Sequence, residues 1–325
     1  MPNFALIAYD GVQMSAVLGL ADMFDVANRF AEGLDRSAIQ HTIVEPTHWQ
    51  DRFDPQRGLG SGLPSGSASG PDANLRFDVV VLPPNLGGGR GNDDRGLHAW
   101  IARQHHAGAT ICSACAGAFW LGHAGVLDAR PVTTHWALEG EFAEAFPSAI
   151  LHPEHVLIDD HDIVTAGGVM AWLDLGVHIL RRWMGPDILS KTCRLMLIDP
   201  KGREQRNYRS FQPNLAHTDD AVRSIQRWME KDVAGDLSVV NLAKRAGMST
   251  RTFQRRFTEA TRLAPNAYVQ QLRVERAKGY LERTSLSVAE VCWRVGYQDV
   301  SAFGRLFKSI SGLSAGDYRK RFALT

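Results

Sequence analysis

Cys115 and His135 carry the most specific chemistry in this 325-residue chain. They lie in the string ATICSACAGAFWLGHAGVLDARPVTTHW, Ala109 to Trp136, an apolar run that breaks at Cys115-Ala116-Gly117-Ala118 before helical spacing begins. Small residues around a nucleophile permit the sharp strand-to-helix turn of a nucleophile elbow, and the start of a helix lowers a thiol pKa. His135 follows twenty residues later, after a short expected strand. A thiol within reach of an imidazole is the minimum for covalent nucleophilic catalysis. The same turn also suits binding. Free N–H groups at Cys115 and Ala116 favour a carboxylate, and Trp120, Trp136 and Trp172 offer aromatic walls. Cys115, Ala116, Trp120, His135 and Trp136 therefore form a candidate pocket for an amino acid or a quaternary amine, against which stands ordinary core packing of each tryptophan.

Cys112 and Cys115 form a CxxC, the spacing of a redox pair or of half a zinc site. A redox switch would require Cys112 to leave a buried strand, and neither His123 nor His135 completes a known zinc spacing. No metal and no cofactor is implied. Cys193 and Cys292 sit on apolar helical faces and read as core.

A second set of residues has the chemistry of base reading. LSVVNLAKRAGMSTRTFQRRF (Leu237 to Phe257) and LSVAEVCWRVGYQDVSAFGRLF (Leu286 to Phe307) repeat one pattern: Ser before an apolar helix, Gly247 or Gly296 at its end, and a second helix with Phe at i and i+4. Glycine fits the left-handed position that stops a helix, and the Phe pair supplies a buried stripe. With Phe253/Phe257 and Phe303/Phe307 inward, Arg251, Gln254, Arg255, Ser301 and Arg305 face outward. Arg and Gln make bidentate hydrogen bonds to base edges, while Lys244, Arg256 and Lys308 suit phosphates.

These residues need elements to position them. Phe4 to Tyr9, Val79 to Leu82 and Ala109 to Ser113 are short apolar runs between turn residues, as buried parallel strands should be, and Val17 to Phe30 and Leu97 to His105 have helical spacing. This alternation predicts a doubly wound α/β domain with a parallel sheet over residues 1–199. Arg52 to Asn74 is rich in Gly, Ser and Pro and reads as a surface loop. Residues 200–216 are polar without apolar periodicity and read as a linker. Residues 217–325 show only helical patterns, starting with a run capped by Thr218, Asp219 and Asp220, and predict an all-α domain with two helix-turn-helix units.

The composition, 44% hydrophobic and 22% charged, is that of folded protein, and the length favours two domains. With no run of eighteen apolar residues and no basic, apolar leader at the N-terminus, neither a membrane span nor a signal peptide is expected, and the expected location is cytoplasmic. The formal net charge of +1 conceals an asymmetry. From His217 onward there are 19 Lys and Arg against 11 Asp and Glu, net +8, which leaves −7 for the first 216 residues. Cations concentrated on one small domain suit a polyanion.

The two motif groups resemble known families. A-G-M-S-x-R-x-F-x-R-x-F, then G-Y-x-D-x-S-x-F-x-R-x-F-K and D-Y-R-K-R-F, resemble the C-terminal DNA-binding domain of AraC-type transcription regulators over about residues 217–323. Ala315 stands where that family usually has Pro, which should soften one helix start. C-x-G-A-x-x-L-x-x-A-G-x-L-D-x-R-x-x-T-T-H-W, with Tyr9-Asp10-Gly11-Val12 and Thr165 to Leu180, resembles the PfpI-like branch of the class I glutamine amidotransferase superfamily, in the GlxA-type form fused to AraC domains. The first resemblance implies a long helix from Pro265 to Glu282 joining the two units. The second implies a flavodoxin-like fold, with an acid after the first strand and a glycine turn for the oxyanion in active members. Here Ala16 stands at the acid position and Pro83-Pro84-Asn85 at the turn, so Cys115 and His135 read as vestigial rather than catalytic. Expected partners are double-stranded operator DNA, a small-molecule effector, a second copy of the chain and, as an option, RNA polymerase. The expectation is a DNA-binding transcription regulator, against the alternatives of a cysteine-dependent amidase or hydrolase and a thiol redox regulator.

Overall fold

The computed structural model describes residues 1–32, 38–45, 75–88, 90–91, 94–200 and 204–324. The expected loop from Arg52 to Asn74 lies outside these residues. The chain divides into two compact units, Met1–Gln205 and Arg206–Thr325.

The first unit runs β1 (Asn3–Ile7), α1 (Met14–Ala31), β2 (Gln40–Val44), β3 (Val79–Leu82), α2 (Arg95–His106), β4 (Thr110–Ala114), α3 (Ala118–His123), β5 (Pro131–Val132), α4 (Glu139–Ala145), β6 (Ile150–Leu151), β7 (Leu157–Asp160), β8 (Ile163–Ala166), α5 (Trp172–Trp183) and α6 (Gly185–Met196). Six strands form one sheet in the order β2-β1-β3-β4-β8-β7, and β5 pairs with β6 apart from it. β2, β1, β3, β4 and β8 are parallel. The sheet is not parallel throughout, because β7 returns antiparallel to β8 at one edge. That hairpin turns at His161, φ +65°, whose N–H is held by the Asp159 carboxylate at 3.0 Å. β7 reads Leu-Ile-Asp-Asp and is only half-buried, so it lacked the continuous apolar run that marks the inner strands.

Alternate residues of the inner strands serve two cores. Phe4, Leu6, Val79, Val81, Cys112 and Ala114 pack toward α1, α5 and α6, whereas Ala5, Ile7, Val80, Leu82 and Ile111 pack toward α2, α3 and α4. Burial on both faces explains why these strands are apolar at most positions, Thr110 and Ser113 of β4 being buried polar exceptions. Strand order reverses between β1 and β3, so the turns after β1, β3 and β4 open beside the topological switch point, where open α/β sheets bind ligands.

The second unit is helical among its described residues: α7 (Asp220–Lys231), α8 (Val239–Arg245), α9 (Thr250–Thr261), α10 (Pro265–Arg283), α11 (Val288–Arg294), α12 (Val300–Ser311) and α13 (Ala315–Phe322). Ser238, Ser249, Ser287, Asp299 and Ser314 accept backbone N–H groups at the starts of α8, α9, α11, α12 and α13, and Ser287 with Glu290 completes a capping box. At α7, Asp219 alone of the three expected residues is the cap. α13 starts at Ala315 without a proline, held by Ser314. Gly247 (φ +66°) and Gly296 (φ +86°) end α8 and α11 in the left-handed conformation. Phe253, Phe257, Phe303 and Phe307 are fully buried in one core shared by both helix-turn-helix units and α10.

Candidate functional site

β4 delivers Cys115 to a turn in which its own φ is +54°, a left-handed conformation unusual for a residue with a Cβ. Gly117 makes the turn feasible, because a Cβ there would lie 2.2 Å from the Leu82 carbonyl oxygen at the end of β3. Thr134 fixes the turn from the other side, its hydroxyl donating to the Cys115 carbonyl at 2.8 Å. The structure thus holds a strained elbow at the cysteine. It does not activate the thiol. Cys115 is 4% exposed, and burial pushes its pKa up to about 11, outweighing the Ala116 N–H and the Arg90 guanidinium, which favour the thiolate. The helix-start effect expected from the sequence is therefore overridden by desolvation.

His135 does not offset that penalty. Burial, the dominant influence on its imidazole, holds its pKa below the ordinary value, and Nδ1 accepts the Ala137 N–H at 3.0 Å as the cap of a short helical turn. Trp136, expected in the pocket, lies tilted against His135, ring centroids 5.2 Å apart, and is half-buried. Trp120 is buried near the elbow, its ring 4.9 Å from Tyr9 and 5.5 Å from His98. Trp172 does not share this core; it packs against Gly19 of α1 in the cluster on the opposite face of the sheet.

Two residues near the thiol were not anticipated. Tyr9, at the end of β1, is buried and donates a short hydrogen bond to the Pro83 carbonyl; its hydroxyl pKa is raised, first by burial and then by the neighbouring Cys115. Arg90 lies over the Phe119 ring at 5.2 Å and is gripped by both oxygens of Glu141, at 2.8 and 3.0 Å. Tyr9 stood within the quoted Tyr9-Asp10-Gly11-Val12 match, so a signal existed; nothing in the sequence pattern marks Arg90. The turn after β3 uses its amides locally. Leu86 and Gly87 donate to the Gly11 carbonyl at 2.9 and 3.2 Å. Ala16 is fully buried in α1. Cys112 is buried on the α1 side of the sheet, with its pKa pushed up to about 12 by burial, and all four cysteines are free thiols. Among the described residues no cluster of three or more His, Cys, Asp or Glu is placed to hold a metal.

In the second unit, α9 exposes Arg251, Gln254 and Arg255, and α12 exposes Ser301, Arg305 and Lys308. Arg255 forms an exposed i,i+4 pair with Glu259 at 3.0 Å. Arg256, which the sequence pattern assigned to phosphate, is instead bound by both oxygens of Asp219 at 2.8 Å, tying α9 to the start of α7. Lys244 is exposed at the end of α8. α9 and α12 therefore each present an exposed polar face above a buried Phe pair.

Comparison with known proteins agrees with both halves. Residues 242–321 match the helix-turn-helix domain family, and residues 65–182 match the DJ-1/PfpI family. The chain is 24% identical over 260 residues to the HTH-type transcriptional regulator GbdR of Pseudomonas aeruginosa, covering 80% of this chain and 70% of that protein. It is 27% identical over 233 residues to the HTH-type transcriptional regulator GlxA of Rhizobium meliloti, covering 70% and 71%. Among solved structures, an AraC family transcriptional regulator from Pseudomonas putida aligns with 60% of this chain and 100% of its own length at a TM-score of 0.49 and 20% identity. Among the described residues no helix is long and apolar enough to cross a membrane. With polar faces on α9 and α12 in one unit and an elbow cysteine in the other, the chain joins a helix-turn-helix domain to a DJ-1/PfpI-family domain and is similar across both to HTH-type transcriptional regulators, the make-up of a DNA-binding transcription regulator.

Proposed function

We propose that the DJ-1/PfpI-like unit is a sensor, taking a small amino acid or quaternary amine beside Cys115, and that occupancy changes how the helix-turn-helix unit engages its operator. The observation that carries this reading is the burial of the thiol: Cys115 is 4% exposed, and burial pushes its pKa up, which disfavours the nucleophilic thiolate. The nearby amides of Leu86 and Gly87 are committed to Gly11, and Ala16 offers no carboxylate. Such a turn supports binding better than acyl transfer. Trp120 and Trp136 suit an alkyl or cationic group, and Ala116 is placed with Cys115 at the floor of the proposed pocket. On the operator side, Arg251, Gln254 and Arg305 are assigned to base edges, Arg255 and Ser301 to neighbouring contacts and Lys308 to phosphate. Operators of this kind are read as repeats, so the working species is a homodimer in the cytoplasm.

Calorimetry of the full chain against a panel of amino acids and quaternary amines tests the pocket. Heat with at least one member, abolished by Trp136→Ala, supports it; silence from every member, with DNA binding intact, removes it. One observation favours a second reading. The left-handed backbone at Cys115 is the geometry of a catalytic elbow, and a cysteine hydrolase would show turnover of an amide or ester that disappears in Cys115→Ala.

A further inference from the structure

We propose that Gln205 is the positioning residue that passes the state of the Cys115 pocket to the DNA-binding unit, an inference that rests on the sensor reading above. Gln205 is the last residue of the first unit, and its side chain is buried in a socket made almost wholly of backbone. Its Nε2 donates to the carbonyls of Pro153 at 2.8 Å, Thr134 at 3.0 Å and His155 at 3.1 Å. Its Oε1 accepts the Trp136 N–H at 2.8 Å. Gly167 forms part of the wall, because a Cβ at that position would lie 2.2 Å from Nε2. The socket is specific for a primary amide: its acceptors surround the nitrogen and its one donor meets the oxygen.

The socket is hydrogen-bonded to the elbow. Thr134, whose carbonyl receives Gln205, donates its own hydroxyl to the Cys115 carbonyl at 2.8 Å. Trp136, whose N–H Gln205 accepts, adjoins His135. A relay therefore runs from Cys115 through Thr134 to Gln205. In the proposed relay a ligand at the elbow shifts the segment from Thr134 to Trp136, and Gln205 keeps its hydrogen bonds only while that segment holds its present course.

On the far side the chain is anchored again almost at once. Tyr208 packs on Phe322 at 5.3 Å, and both Ser210 and the Phe211 N–H bind Glu275 of α10, at 2.8 and 3.0 Å. The buried Lys278 binds the Arg209 carbonyl and Glu275. Residues read from sequence as a linker are thus divided between two anchors. Only Arg206 and Asn207 separate Gln205 from Tyr208 in sequence, and Asn207 is itself buried beside Gly312. Release of Gln205 frees the chain that leads into the DNA-binding unit, and an operator that restrains that chain favours the closed socket, because coupling between two sites is reciprocal.

Methyl methanethiosulfonate, which caps Cys115 as a small disulfide inside the pocket, replaces the unidentified effector as probe. Duplexes selected in vitro from random sequence serve as the operator. In the full chain, capping of Cys115, verified by mass spectrometry, should change operator affinity at least fivefold. Cys115→Ala should show no change on treatment. In Gln205→Met, which keeps the volume and loses the hydrogen bonds, the change should fall below twofold. Thr134→Val should have the same effect as Gln205→Met, and the double variant should go no further. Both variants should also raise the rate at which Cys115 reacts with a thiol reagent, although Gln205 does not touch it; a purely packing residue would leave that rate alone. If capping shifts wild type and both variants equally, the relay is wrong and the sensor reading stands. If capping shifts none of them, the sensor reading falls and takes the relay with it. Should Gln205→Met fail to fold, the Thr134→Val comparison decides alone.

Discussion

Raising the pH is the cleanest perturbation of the elbow thiol, because burial has set its pKa about two units above the ordinary value of 9.0. Labelling of Cys115 by iodoacetamide, followed by mass spectrometry, tracks the thiolate fraction. For a pKa near 11 that fraction rises about tenfold per pH unit, so the rate should climb roughly a hundredfold between pH 7 and 9 with no plateau. The same displacement is a statement about stability. The folded state holds this proton more tightly than the unfolded chain, so the contribution is fully present below pH 9 and is lost as pH rises through 11. The displacement corresponds to about 3 kcal/mol. Cys115→Ala has no such proton, and the difference between the two melting curves as pH goes from 8 to 11 isolates the term from the other buried thiols. The wild type should lose more of its melting temperature across that interval. A labelling rate that levels off below pH 8 would mean a stabilised thiolate, and would restore nucleophilic chemistry to the site.

Other consequences concern individual side chains. Gly117→Ala should destabilise the first unit by about 3 kcal/mol or more, visible in its thermal unfolding, since a Cβ meets the Leu82 carbonyl rather than a side chain able to move. Phe307→Ala should cost about 3–5 kcal/mol in folding of the second unit. Arg251→Ala and Arg305→Ala should leave melting unchanged but weaken operator binding by about 1–3 kcal/mol, each relaxing preference at one base position; a uniform loss over all sequences would make them phosphate contacts. Arg256→Ala should lower the melting temperature without changing the salt slope of DNA binding, because Asp219 already holds its guanidinium.

The sequence made the elements legible wherever one local cause sufficed. Inner strands announced themselves by unbroken apolar runs, and the helix-turn-helix units by Ser, Gly and paired Phe at fixed offsets. The elbow followed from small residues around Cys115. What stayed hidden needed residues distant in sequence. Asp219 and Arg256 are separated by 37 positions, and Gln205 meets Thr134 across 71. Neither pair leaves a periodic trace. The thiol was misjudged for a different reason: the helix start is visible in the string, whereas the burial that opposes it draws on Tyr9 and the end of β3, contributed by two other segments.

The single core that α10 shares with both Phe pairs has a consequence for the shape of the operator. Two recognition elements embedded in one cooperative block cannot adjust their separation independently, so the protein measures the distance between two short DNA words as well as their spelling. An operator altered at one base should still be read, at a penalty confined to that position. One lengthened by a single base pair between the two words rotates the second by about a tenth of a helical turn and moves it about 3.4 Å along the axis, and should bind more weakly because both helices are set in one shared core.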